Sequence, residues 1–398
     1  MIQAVMPTYA RYDVAFDHGE GAYLWDAENR RYLDFGAGIA VAGLGHCHPH
    51  LVEAIREQAG KLMHTSNLYH IDGQSTLADR LVANTFADSV FFTNSGGEAV
   101  EMGIKMMRRY HWHNGNPERY RVITVQGAFH GRSLACIAAG KQEKHTTGFG
   151  PETDGFDQVA FDNLNELKAA IGPETAGILV EPVQGEGGIR PMSDDYLRGL
   201  RETADEFGLL LMFDEVQCGV GRTGKLYAHE WSGIAPDVLA TAKGLGGGFP
   251  VAAALANERV AEAMTAGSHG TTYGGNPLAM AAGNAVLDIV LEPGFMDNVI
   301  ARGDELKAGL DKLVEKYPAM LVDARGRGLM VGLKCSDKLV NGDLVAKAMA
   351  LGLLSVPAGD NVVRFVPPMI ITSEQITEAL SILDSALSKL SEGGAQDG

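Results

Sequence analysis

Leu209-Leu210-Leu211-Met212-Phe213-Asp214 and, further on, Val238-Leu239-Ala240-Thr241-Ala242-Lys243 decide the fold of this chain. Each is a short run of apolar residues that ends at or beside one ionisable group. Runs with no polar face read as strands of a parallel sheet, covered by helices above and below. Further apolar runs of this kind lie at 90–92, 120–125, 177–180 and 251–255, of which only 177–180 is followed at once by an ionisable residue. Helical patterns at 97–110 and 195–207 lie between some of these runs. Strand–helix alternation of this kind predicts an α/β protein with a mainly parallel central sheet and helices on both faces.

Beyond Gly294 the pattern changes. A long amphipathic helix at 297–317 leads to a strand at 328–334, a helix at 343–351, short strands near Leu354 and Val363, and a last helix at 373–390. This reads as a smaller α+β domain. The expected division is an N-terminal segment 1–47 packing with the small domain, a large domain 48–292, the small domain 293–391 and a disordered tail 392–398. The tail is polar and glycine-rich, with too little apolar surface to order itself.

Thirty-three basic against fifty acidic residues give a formal charge of −17 in 398 residues. Such a surface repels nucleic acid and anionic membranes, so neither is an expected partner. An acidic substrate must then be held by individual arginines. The four cysteines, Cys47, Cys136, Cys218 and Cys335, show no paired spacing, which fits a reducing compartment. With no signal-peptide pattern and no apolar run of membrane length, a cytoplasmic protein is expected.

Three strand ends carry the candidate chemistry. Asp214 closes one strand, where the carboxyl ends of parallel strands border the ligand crevice. A buried carboxylate there can keep a pyridine nitrogen protonated and make the ring an electron sink. Lys243 follows the next strand; in an apolar site its amine loses its proton readily and becomes a nucleophile toward an aldehyde. Thr93-Asn94-Ser95-Gly96-Gly97-Glu98 links the strand at 90–92 to a helix, and backbone N–H groups at such a start hold phosphate. Two other signals point elsewhere. Gly219-Val220-Gly221-Arg222-Thr223-Gly224 matches a dinucleotide pattern, but the long helix that would hold the phosphates does not follow. His46-Cys47-His48-Pro49-His50 looks metal-like, but adjacent positions cannot close around one ion in regular backbone, and no metal is expected.

The stretches NSGGEAVE, AFHGRS, LVEPVQGEGG, FDEVQCGVGRTGK, ATAKGLGGGFP and HGTTYGGNPLA occur in the order seen in class III aminotransferases, and the chain resembles that family over nearly its whole length. The resemblance implies a fold-type-I, pyridoxal-5'-phosphate-dependent homodimer with active sites shared between subunits. It assigns Lys243 to the covalent hold on the cofactor and to proton transfer, and Asp214 to the pyridinium nitrogen. It gives Gln217 the phenolic oxygen, Phe129 and Val216 the two ring faces, and Ser95, Gly96 and Gly97 the phosphate. Thr272 would complete that phosphate site from the partner subunit, with Thr271 beside it at the substrate. Arg132 would take the distal carboxylate of a substrate and Arg364 the α-carboxylate of glutamate or 2-oxoglutarate. Glu181 would neutralise Arg364 while an ω-amine donor is bound. The expected reaction moves the δ-amino group of N-acetylornithine to 2-oxoglutarate. Succinylornithine, N-succinyl-diaminopimelate, ornithine and 4-aminobutyrate remain alternative donors. Ile39, where ornithine-specific relatives commonly carry tyrosine, favours an acylated donor.

Overall fold

The apolar runs form one seven-stranded sheet in the computed structural model, which describes residues 4–393. Its strands are β1 (Ser89–Thr93), β2 (Arg121–Val125), β3 (Phe156–Val159), β4 (Thr175–Val180), β5 (Leu210–Asp214), β6 (Val238–Thr241) and β7 (Ala252–Ala256), in the order β1-β7-β6-β5-β4-β2-β3. Only β7 runs against its neighbours β6 and β1; the other pairings are parallel. The chain between β6 and β7 is too short for the crossover that a parallel pair requires, so β7 must return antiparallel. Edge strand β3 was not expected. Its centre is Asp157-Gln158, both half-exposed, so it lacks the continuous apolar run that marks the inner strands.

Alternation along β5 divides the core. Leu210 and Met212 pack in one cluster with Val100, Met106 and Met107 of α1 (Gly96–His113). Leu211 and Phe213 pack in another with Tyr196, Leu197 and Leu200 of α2 (Asp194–Phe207). The sheet is thus covered on both faces, as the two-sided apolar strands require. Gly103 lets α1 approach closely, since a Cβ there would lie 2.3 Å from Met212 Cε. Helix α3 (Pro277–Val290), buried along most of its length, is capped by Asn276, whose side chain accepts from Ala279 N–H. Among the described residues no single helix is long and apolar enough to cross a membrane.

The remainder builds a second sheet, β8 (Leu321–Arg327), β9 (Met330–Cys335), β10 (Val356–Ala358) and β11 (Val362–Phe365), ordered β8-β9-β11-β10 and wholly antiparallel. Helices α4 (Phe295–Lys316) and α5 (Ser373–Gly393) accompany it. Strand β8 was not expected either, because its Asp-Ala-Arg-Gly-Arg run is polar and half-exposed. Near the N-terminus, Arg31–Asp34 pairs in parallel with Leu353–Leu354. Tyr23 and Arg31 both bond Glu378 of α5, at 2.9 and 2.7 Å. Helix α5 extends to Gly393; the rest of the expected tail, 394–398, lies outside the described residues.

The dinucleotide-like glycines form a loop followed only by a short 3-10 helix, Ala228–Ser232. Its Arg222 is buried and donates to the carbonyls of Leu329 and Pro367 at 3.1 and 2.5 Å, tying the loop to the second sheet. The histidine run is likewise dispersed. His46 bonds Asp34 at 2.8 Å and His50 bonds Asp288 at 2.7 Å, so neither is turned toward a common ion.

Candidate active site

Strands β1, β5 and β6 run in the same direction, so their carboxyl ends share one rim of the sheet. A cavity of about 310 Å³ opens there. Ser95, Gly96, Gly97, Phe129, Glu181, Asp214, Val216, Gln217 and Lys243 all line it. That volume lies at the lower end of ordinary small-molecule sites.

At the end of β1 the chain turns into α1. Ser95 Oγ accepts from Glu98 N–H at 3.3 Å, while the first helical N–H groups, Gly96 and Gly97, have no partner within the helix. They form a cradle for an anion, with the helix dipole favouring negative charge. Glycine at 96 is a requirement of packing: a Cβ there would meet Val216 Cγ1 at 2.6 Å.

Asp214 is 4% exposed at the end of β5. Its Oδ1 accepts from Val216 N–H at 3.1 Å, and its Oδ2 lies 2.8 Å from His130 Nδ1. His130 is the next residue after Phe129, and its Nε2 is buried without a partner among the described residues. The reading of the sequence missed His130. Its only signal is the Phe129-His130-Gly131 turn, which a single sequence does not distinguish from an ordinary loop.

Lys243 opens a 3-10 turn, Lys243–Gly246, with φ at 42°, an uncommon conformation for a residue with a side chain. Strain of this kind concentrates at functional positions. Burial, and then the nearby charge of Arg364, lowers its pKa to about 8, so far more of it is free amine near neutrality than for an exposed lysine. Among the described residues it forms no ion pair.

Arg364, on β11 of the second sheet, is 1% exposed. Its Nη1 donates to Gln217 Oε1 at 2.9 Å and forms an ion pair with Glu186 Oε1 at 2.8 Å, and its Nε is buried without a partner among the described residues. The expected pairing of Arg364 with Glu181 is therefore corrected: the partner is Glu186. Glu181 is instead held by two main-chain N–H groups. Oε1 accepts from Phe129 N–H at 2.8 Å and Oε2 from Gly185 N–H at 3.2 Å. Glu186 was legible as the second glutamate of Glu181-Pro182-Val183-Gln184-Gly185-Glu186, but one sequence gives no reason to choose between the two. Burial, and then Asp214, pushes the Glu181 carboxyl up.

Arg132, Thr271, Thr272 and Arg364 are not part of the cavity lining within this chain. Arg132 is exposed at its edge, its guanidinium 5.5 Å from the Phe129 ring centre. Thr271 Oγ1 accepts from Gly274 N–H at 3.1 Å and lies 3.4 Å from Asn94 Nδ2. Thr272 and Tyr273 are exposed. Ile39, with φ at 64°, faces a separate, more apolar cavity of about 720 Å³ with Tyr9, Tyr12 and Val356.

The arrangement suits a flat aromatic group with a phosphate tail and an electrophilic carbon. It offers a helix start for the tail, the apolar side chains of Phe129 and Val216 for the ring, a buried carboxylate for a ring nitrogen and a readily deprotonated amine for the carbon.

Comparison with known proteins agrees with this geometry. The Aminotransferase class-III family profile matches residues 5–387. Acetylornithine aminotransferase of Mesorhizobium japonicum is 58% identical over 378 residues, covering 95% of this chain and 94% of that protein. The Brucella melitensis protein of the same name is 56% identical over 390 residues, covering 98% and 96%. Among solved structures, N-acetylornithine aminotransferase from Stenotrophomonas maltophilia superposes with a TM-score of 0.85 at 37% identity, covering 97% of this chain and 98% of that one. An amine transaminase from an uncultivated Pseudomonas species, in its PLP-bound form, gives 0.90 at 29% identity, with 98% of both chains covered. Fold-type-I architecture and a site at the sheet's carboxyl rim are thus joined to a family match along almost the whole length, and the chain belongs to the class-III aminotransferases.

Proposed function

We propose that the chain is a pyridoxal-phosphate-dependent aminotransferase that moves the δ-amino group of N-acetylornithine to 2-oxoglutarate, giving N-acetylglutamate 5-semialdehyde and glutamate, a step toward arginine in the cytoplasm. The observation that carries the reading is the meeting of Lys243, Asp214 and the Ser95–Gly97 turn around one cavity. The similarity to acetylornithine aminotransferases supports the choice of donor.

Bound pyridoxal phosphate supplies an aldehyde carbon that accepts an amino group and a ring that draws off electrons. Lys243 Nζ would hold the cofactor and, as a free amine, would be the group placed to move a proton at the reacting carbon. Asp214, fixed by Val216 N–H and His130, keeps negative charge at the ring nitrogen. Phe129 and Val216 would pack on the ring, Gln217 would bond its phenolic oxygen, and Ser95, Gly96 and Gly97 would hold the phosphate. Thr272 reaches this phosphate from a second subunit, with Thr271 beside it, so the working unit is a homodimer.

Two substrates of different charge must use one site. Arg132 takes the distal carboxylate of each. Glu186 lies on Arg364 while the amine donor is bound and leaves it when a dicarboxylate brings its own α-carboxylate. Arginine's planar fork suits that exchange. Ile39 faces a separate cavity within this chain, so the choice of an acylated donor over ornithine rests on the similarity to acetylornithine aminotransferases.

A half-reaction panel tests the reading. The cofactor-loaded enzyme is mixed with N-acetylornithine, succinylornithine, N-succinyl-diaminopimelate, ornithine or 4-aminobutyrate, without keto acid, and the visible cofactor band is followed. Fastest bleaching by N-acetylornithine, reversed by 2-oxoglutarate, is expected. Preference for ornithine or 4-aminobutyrate would overturn the donor assignment, and no bleaching by any amine would overturn the activity.

A further inference from the structure

Glu181 is a buried carboxylate that the transfer chemistry does not use, yet it stands between two working loops. Its Oε1 accepts from the N–H of Phe129, on the turn that also carries His130 and Arg132. Its Oε2 accepts from the N–H of Gly185, the residue before Glu186. Gly185 in turn sits against Gln217, where a Cβ would lie 2.3 Å from Oε1. That same Gln217 oxygen accepts from Arg364, whose Nη1 also pairs with Glu186. The Gly185–Glu186 turn is therefore gripped from one side by Glu181 and packed on the other by Gln217.

We infer that Glu181 is a positioning residue for substrate exchange: by holding Gly185 N–H it keeps the Glu186 carboxylate on Arg364, and so favours the closed state over dicarboxylate entry. The inference rests on the reading of Arg364 as the receiver of a dicarboxylate. A carboxylate is needed because both partners are N–H donors. A glutamine has a single oxygen, which stays with the shorter bond to Phe129 and turns its NH2 toward Gly185 N–H. The grip on the Phe129 turn then survives while the Glu186 turn is released.

Glutarate, an unreactive dicarboxylate, reads the difference without turnover. It is titrated by calorimetry into cofactor-loaded wild-type, Glu181→Gln, Glu186→Gln and doubly substituted enzyme. Glu181→Gln is expected to bind glutarate about tenfold more tightly, the scale of one lost hydrogen bond to a charged group, with the visible circular dichroism of the cofactor unchanged. Because the effect acts through Glu186, adding Glu181→Gln to Glu186→Gln should change the affinity by less than about twofold. Unchanged or weaker glutarate binding in Glu181→Gln overturns the inference, and so does full additivity with Glu186→Gln. If Glu181→Gln fails to fold, Glu181→Asp, too short to span both N–H groups, is judged by the same criteria. Wild-type enzyme that ignores glutarate, or Arg364→Lys that binds it as wild type does, removes the dicarboxylate reading itself. Normal wild-type binding with no effect of Glu181→Gln removes only the role of Glu181.

Discussion

Lys243 is held in a conformation few lysines adopt, in surroundings that favour its neutral form. Its pKa of about 8 has a kinetic consequence. Below that value the amine is protonated and cannot attack an aldehyde, so cofactor capture by cofactor-free enzyme should rise with pH and level off above about 8. An unperturbed lysine would keep gaining up to about 10.4. Rapid mixing with pyridoxal phosphate across pH measures this, and a rate still climbing past pH 9 contradicts it. Lys243→Ala should slow the amine half-reaction by at least roughly 10²–10⁴-fold, the usual worth of a positioned acid–base group. That Asp214 and Lys243 would meet at one rim of the sheet was legible because each stands at the end of an apolar strand run. The partner of Arg364 was not, since Glu181 and Glu186 lie in one loop and only their hydrogen bonds tell them apart.

The strand–turn–helix from β1 into α1 shows how an element serves the site. Gly96 yields room to Val216, which approaches from the end of β5, so the proposed phosphate cradle and one proposed face of the ring site share a single contact. Gly96→Ala should therefore weaken cofactor retention about tenfold, from the roughly 1–3 kcal/mol of overpacking. Val216→Ala on that background should recover part of the loss. Equilibrium dialysis of the cofactor gives both values, and unimpaired retention in Gly96→Ala contradicts the packing argument. At α2, Ser193 Oγ accepts from Tyr196 N–H at 3.1 Å, so Ser193→Ala should cost about 1 kcal/mol in denaturant unfolding. The inner strands and these helices were readable because two-sided burial leaves uninterrupted apolar runs. Strands β3 and β8 escaped because half-exposed strands carry polar residues that resemble loops.

Across the whole molecule, the site draws on both sheets. Arg364 comes from the second sheet and meets Gln217 in the turn that follows β5, while buried Arg222 ties the same loop to the second sheet through main-chain carbonyls. The exposed Leu62, Met63, Leu68, Tyr69 and Tyr273 lie by sequence and contact around the Thr271–Gly274 turn, which Asn67 bonds at 2.9 Å through Gly274 O. The proposed shared site calls for a second copy over this face, with Thr272 at the neighbouring phosphate. Sedimentation should then give about twice 42.3 kDa, and Leu68→Asp should lower both the mass and the cofactor retention; a monomer retaining cofactor fully would contradict the shared site. Sequence alone did not locate that face, because exposed apolar side chains have no periodic signature in a loop. The assignment of Lys243 as the residue that holds the cofactor is checked by reducing the cofactor-loaded enzyme with borohydride, digesting it and locating the added pyridoxyl phosphate mass. That mass is expected on the peptide containing Lys243 and nowhere else; attachment to another lysine, or to none, would rule Lys243 out.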